Sequence, residues 1–200
     1  MSVIRTIQNN LEAALFKGKI VVLYGARQVG KTTLVNAILA KYPDDSAYFN
    51  CDEPDIRAAL TDKTSTELKA FIGSRRLVVL DEAQRVKNIG LTLKLIADNF
   101  PDTQIIATGS SSFELSGQIA EPLTGRKTEF FLYPFSVKEL EQLHSPLEMS
   151  RLLAERLVFG MYPAVVLGAA DKIGLVRELA TSYSYKDVLA YQDIRNPCTS

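Results

Sequence analysis

Two spacings of apolar residues alternate along the chain as far as Pro134. Apolar runs stand within 19–24, 76–82 and 103–108, with more mixed runs at 46–50 and 127–133. Runs of that length without polar alternation predict buried strands. Between them the apolar positions recur at helical spacing. Residues 33–41 read as one helix, and Ile89, Leu93, Ile96, Ala97 and Phe100 mark another. Thr64 and Glu67 have the spacing of a capping box ahead of Leu68, Phe71 and Ile72. Pro54 suits the first turn of a short helix after Asp52-Glu53. Ile4, Ile7, Leu11, Ala14 and Leu15 open the chain as an amphipathic helix that Lys17-Gly18 ends. Buried strands alternating with helices predict an α/β fold with a parallel sheet covered on both faces.

Beyond Pro134 the strand pattern stops. Residues 137–143, 148–159 and 172–190 read as helices. The expected organisation is a core over 1–136, including the N-terminal helix. Residues 137–200 come next as a helical lid or the start of a C-terminal domain.

The junction of the first strand and its helix carries Gly25-Ala26-Arg27-Gln28-Val29-Gly30-Lys31-Thr32-Thr33. Two glycines with four residues between them, then Lys and Thr, match the phosphate-loop pattern in the strand–loop–helix context it requires. Gly25 and Gly30 allow a tight path and close approach of backbone to phosphate. The N–H groups of the loop and the positive end of the following helix suit a polyanion. Lys31 serves as a mobile charge for the β- and γ-phosphates, and the Thr32 hydroxyl as a ligand for Mg²⁺. The expected nucleotide contacts run from Gly25 to Thr33.

Asp81-Glu82 ends the strand at 76–82. In an open α/β sheet that end lies beside the phosphate loop. Asp81 can hold Mg²⁺ opposite Thr32, and Glu82 can take a proton from the water that attacks the γ-phosphate. Thr108 ends the next strand in a run of hydroxyls reaching Ser112, so Thr108 and Ser110 are candidate sensors of the γ-phosphate. Arg126 precedes the fifth strand and is a candidate to stabilise transition-state charge, in its own subunit or a neighbour's. Arg27 and Arg85 read as structural ion-pair formers, Cys51 as a small core residue and His144 as an exposed helix-end residue.

Composition narrows the class further. There are 23 Lys and Arg against 23 Asp and Glu, and the isoelectric point is near 6.6. A neutral chain is unlike a protein whose main task is gripping nucleic-acid phosphates. Two cysteines and one histidine exclude a disulfide framework and a histidine-rich metal site. With no apolar run of membrane-spanning length and an amphipathic start, a cytoplasmic location is expected.

At these motifs the chain resembles a family of prokaryotic AAA-type ATPases that pair an N-terminal ATPase core with a C-terminal domain of poorly defined role. Residues 23–34, Leu80-Asp81-Glu82-Ala83-Gln84-Arg85, Thr108-Gly109-Ser110-Ser111, Leu123-Thr124-Gly125-Arg126 and Pro134-Phe135-Ser136 carry the resemblance, in order. Gly160-Met161-Tyr162-Pro163 and the region of Asp193-Ile194 resemble the segment after the core in that family. The resemblance implies a P-loop NTPase sandwich with a five-stranded sheet in the order 5-1-4-3-2, and a helical lid after the fifth strand. It also implies ATP rather than GTP, consistent with the lack of an Asn-Lys-x-Asp sequence, and members usually much longer than this chain.

The leading expectation is Mg²⁺-dependent hydrolysis of ATP to ADP and phosphate, driving a conformational change. A slow-hydrolysing, nucleotide-gated module that engages protein or DNA is the alternative. A small-molecule phosphotransferase ranks below both, since Arg151 and Arg156 are the only arginines between Pro134 and Ala170. Partner identity and oligomeric state stay open.

Overall fold

All five strands run parallel, in the order β2-β3-β4-β1-β5, as the resemblance implied. They are β1 (Ile20–Tyr24), β2 (Ser46–Asn50), β3 (Leu77–Asp81), β4 (Gln104–Gly109) and β5 (Lys127–Phe131). The computed structural model describes residues 3–109, 119, 121–168 and 170–189, with residues 182–189 described as backbone only. The central strands β1, β3 and β4 are buried at every position, whereas the edge strands β2 and β5 are half-buried. That difference accounts for the unbroken apolar runs in the centre and the mixed ones at the edges.

Helices flank the sheet. They are α1 (Gln8–Ala14), α2 (Lys31–Leu39), α3 (Pro54–Leu60), α4 (Ser65–Ile72) and α5 (Ile89–Asn99). A 3₁₀ turn, Ala83–Arg85, follows β3 directly. The capping box on α4 forms as its sequence predicts, with Thr64 and Glu67 bonding each other's backbone N–H groups. Leu60, Leu68, Ile72, Leu93 and Ile96 from these helices pack on Val78, Leu80 and Ile105 of the sheet in one apolar cluster. Burial on this scale contributes on the order of 1.5–3 kcal/mol per large side chain relative to exposure.

The register sets the edge on which chemistry can be built. Tyr24 pairs with Gly109 and Phe131, and Asn50 pairs with Asp81. The carboxyl ends of the strands therefore align, and the loops leaving them share one side of the sheet. Gly25 begins the loop after β1 in tight quarters. A Cβ there would stand 2.6 Å from the Leu132 carbonyl oxygen, so any larger residue would push the loop off the sheet.

The chain divides into two compact units, 1–133 and 134–200. In the second, α6 (Val137–Leu140) and α7 (Pro146–Phe159) each start with a capping box, Ser136 with Glu139 and Ser145 with Glu148. Then come α8 (Pro163–Val166) and α9 (Lys172–Leu189), and a Lys172–Glu155 bond of 2.8 Å ties α9 to α7. The short α8, which starts on Pro163, has no counterpart in the helical pattern of the sequence. His144 is half-buried rather than exposed. Among the described residues no helix is long and apolar enough to cross a membrane.

Candidate phosphate and cation site

The loop between β1 and α2 turns on two left-handed residues, Gln28 (φ 61°) and Gly30 (φ 96°). Gly30 occupies the N-cap of α2, where most helices place a Ser, Thr, Asp or Asn side chain. Here no side chain caps the helix, and its first turn contains no acid. The orphan N–H groups and the positive end of a nine-residue helix thus keep their affinity for an external anion.

Lys31 opens α2 and is only 5% exposed. Its ammonium donates to the carbonyls of Gly25 (2.8 Å) and Ala26 (3.1 Å), so it lies folded over the loop. Burial lowers its pKa; Glu82 and Asp81 oppose that shift, and Arg27 adds to it. Its nearest carboxylate oxygen is Oε1 of Glu82, at 4.0 Å.

Asp81, 4% exposed at the end of β3, is the hub of the site. Thr32 Oγ1 donates to its Oδ2 at 2.8 Å, which joins the loop helix to β3. Thr108 donates to its Oδ1. The Tyr48 hydroxyl, from β2, donates to Oδ2 at 2.5 Å. Burial is the main reason the Tyr48 phenol is pushed above its ordinary range, and its bond to Asp81 adds to it. A carboxylate and a hydroxyl side by side form an all-oxygen donor set, which suits a hard cation such as Mg²⁺. Among the described residues there is no group of three His, Cys, Asp or Glu that could hold a metal ion.

Glu82 follows in the left-handed conformation (φ 52°), which is uncommon for a residue with a Cβ and costs of order 1–3 kcal/mol. Two bonds oppose that strain. Its N–H donates to Thr108 Oγ1 at 3.2 Å, and its carboxylate accepts from Gln84 Nε2 at 2.6 Å. The turn aims the carboxylate at Lys31 instead of continuing the line of β3.

The structure thus brings Lys31, Thr32, Asp81, Glu82 and Thr108 together, and it corrects two expectations. Thr108 is fully buried, with its proton given to Asp81 and a lone pair taken by the Glu82 N–H. It therefore holds the two acids, whereas the sequence suggested contact with phosphate. Arg126 lies at the opposite end of the sheet. Its carbonyl accepts from Ile20 N–H, the first residue of β1, and its guanidinium pairs with Asp98 at 2.7 Å on the surface. The length of β1, roughly 16 Å at ~3.3 Å per residue, separates it from the loop. In a parallel sheet a residue that precedes a strand falls at the amino ends, so Arg126 does not serve the site of its own subunit. Ser110 lies outside the described residues.

Arg85 pairs with Asp52 at 3.1 Å on the surface, a structural ion pair. Cys51 is fully buried, and burial pushes its thiol up to about 12. Sequence reasoning missed two residues at the site. Tyr48 is one; its signal was the sheet order, which places β2 beside β3. Arg5 is the other. It is buried and donates to Val29 O (2.7 Å) in the loop and to Tyr133 O (2.5 Å) beyond β5. Arg5 lies just before α1, and nothing in the helical pattern marked it. A cavity of about 240 Å³ lies elsewhere, at the amino ends of the strands between Phe16, Arg76, Phe100 and Gln104. It is remote from every group just described.

Known proteins are similar to this chain in sequence and in fold. An uncharacterized protein of Methanocaldococcus jannaschii is 29% identical over 208 residues, covering 96% of this chain and 47% of its own length. An uncharacterized protein of Mycobacterium tuberculosis is 32% identical over 117 residues, covering 58% of this chain and 25% of its own. The chain spans about half the length of the first relative and a quarter of the second. The Walker-type ATPase of Pyrococcus abyssi shares the fold, with a TM-score of 0.62 at 16% identity over 96% of this chain and 76% of that one. A family model described as an AAA domain matches residues 17–141, and the chain belongs to that family of prokaryotic AAA-type P-loop ATPases.

Proposed function

We propose that this chain binds ATP with Mg²⁺ and hydrolyses it to ADP and phosphate, and that the cycle drives a conformational change acting on a protein or DNA partner. The observation that carries the reading is the meeting of Lys31, Thr32, Asp81 and Glu82 where the loop, α2 and β3 converge.

The residues divide the work by chemistry. The N–H groups of residues 25–33 and the uncapped start of α2 bind phosphate oxygens. Lys31 exchanges its two carbonyl partners for the β- and γ-phosphates, a short movement for a flexible side chain. Thr32 and Asp81 hold Mg²⁺, which supplies charge to the phosphate oxygens when bound. Glu82 accepts the proton of the attacking water as the water oxygen bonds to the γ-phosphorus and the bond to the ADP oxygen breaks. Gln84 and Thr108 keep Glu82 aimed.

The test is steady-state hydrolysis with Mg²⁺, with ATP binding measured in parallel. Glu82→Gln is expected to bind ATP normally and lose about 100-fold or more in kcat. Lys31→Ala is expected to lose affinity and turnover together. Unchanged kcat in Glu82→Gln removes the base assignment. A wild-type chain that binds ATP without hydrolysing it favours the nucleotide-gated module.

A further inference from the structure

The Asp81 carboxylate offers about four acceptor positions. Three are taken: Thr32 and Tyr48 occupy Oδ2, and Thr108 occupies one position on Oδ1. Thr32 and Thr108 belong to the motifs read from sequence. Tyr48 belongs to none. It pairs with Val79, two residues before Asp81 on the same face of the sheet, and the ring spans that offset. β2 is an edge strand, and Tyr48 is 37% exposed. Apolar packing alone therefore does not account for a tyrosine with its hydroxyl 2.5 Å from a buried carboxylate.

We infer that Tyr48 is a positioning residue of the cation site: its hydroxyl fixes the rotation of the Asp81 carboxylate and leaves one acceptor position, on Oδ1, for a water of the bound cation. This rests on the ATPase reading above. With both lone-pair positions of Oδ2 filled, Asp81 cannot grip a cation through two oxygens. It is held to a single contact, through Oδ1. That arrangement favours Mg²⁺, which gives up its waters reluctantly, over cations that prefer bidentate carboxylates. Thr32 keeps its own lone pairs for the cation because its proton is already given to Asp81.

The experiment compares the wild type with Tyr48→Phe and Tyr48→Leu. Affinity for a non-hydrolysable ATP analogue is measured in EDTA and across a Mg²⁺ titration, alongside the Mg²⁺ dependence of hydrolysis and the thermal midpoint. Loss of the hydroxyl is expected to raise the Mg²⁺ concentration for half-maximal effect about tenfold in both assays. Affinity in EDTA stays within about twofold, and Phe and Leu behave alike. A Mg²⁺ dependence unchanged in Tyr48→Phe overturns the inference. So does a defect seen only in Tyr48→Leu, or one matched by equal loss of affinity in EDTA, because either outcome makes Tyr48 a packing residue. If the wild type fails to hydrolyse ATP, the ATPase reading fails, while the binding titration still decides the role of Tyr48.

Discussion

The two ends of the sheet carry comparable residues and do different things with them. At the carboxyl ends, Asp81 and Thr108 are buried and bonded, Lys31 is buried beside them, and Gln28 and Glu82 hold left-handed backbone conformations, as Phe16 does at the other end. At the amino ends, Arg126 and Asp98 pair at about 40% exposure, and Arg76 lies over the Phe16 ring beside a cavity. The direction of the helices separates the two ends. In a parallel α/β sheet each strand leads out through a loop into the start of a helix, so uncapped N–H groups collect at the carboxyl ends. A lysine there finds two backbone carbonyls and a carboxylate oxygen at 4.0 Å. An arginine at the other end finds a single surface carboxylate and water.

Substitutions at each end can break or sharpen this contrast. After the Lys31 and Glu82 variants, the largest expected effect is at Thr108. Thr108→Val removes the donor to Asp81 Oδ1 and the acceptor for the Glu82 N–H, leaving two buried polar groups short of a partner. Turnover is expected to fall about 10- to 100-fold, the usual range for groups that orient ligands. A variant with full kcat would show that the acids keep their places without it.

Gln104 is the buried polar residue at the amino ends. It accepts from Phe16 N–H (2.6 Å) and donates to the carbonyls of Lys19 (2.9 Å) and Ile105 (2.8 Å). Gln104→Ala is expected to cost about 2 kcal/mol in denaturant unfolding while kcat per folded molecule stays unchanged. A kinetic loss beyond the unfolded fraction would couple the two ends and weaken the contrast.

A smaller effect is expected for Arg126→Ala. An exposed ion pair contributes ~0.2–1 kcal/mol, and the hydrolysis rate of the isolated chain should not change. Should the rate fall only at protein concentrations where the chain assembles, Arg126 would be acting on a neighbouring subunit.

The smallest effect concerns acid. Lys127 and Tyr24 hold the Glu129 carboxyl below its ordinary value of 4.5, and Lys41 does the same for Glu12. A depressed carboxyl contributes stability above its unfolded pKa and loses it as pH falls through the folded one. The denaturant midpoint should therefore be flat from pH 7 to 5 and decline below about 4.5. Glu129→Gln should reduce that decline.

Much of the site was legible because its signals are local. The loop spacing needs only eight consecutive residues, and Asp81-Glu82 announces itself by ending an apolar run. Tyr48, Arg5 and the end of the sheet on which Arg126 falls are non-local. Tyr48 reads as an ordinary strand aromatic until β2 is laid in register beside β3. Arg5 reads as a surface charge until the segment before α1 is packed against the loop. The misplacement of Arg126 was avoidable in principle, since a residue that leads into a parallel strand stands away from the carboxyl ends.

By itself the sequence determined the fold class, the five strands and most helices to within a few residues, and the phosphate loop with its acidic partner, because each depends on periodicity or contiguous spacing. Tertiary structure decided which hydroxyls surround Asp81, the left-handed turn that aims Glu82, and the burial that lowers the Lys31 pKa. Those properties arise from distances between segments far apart in the chain, fixed by sheet order and register.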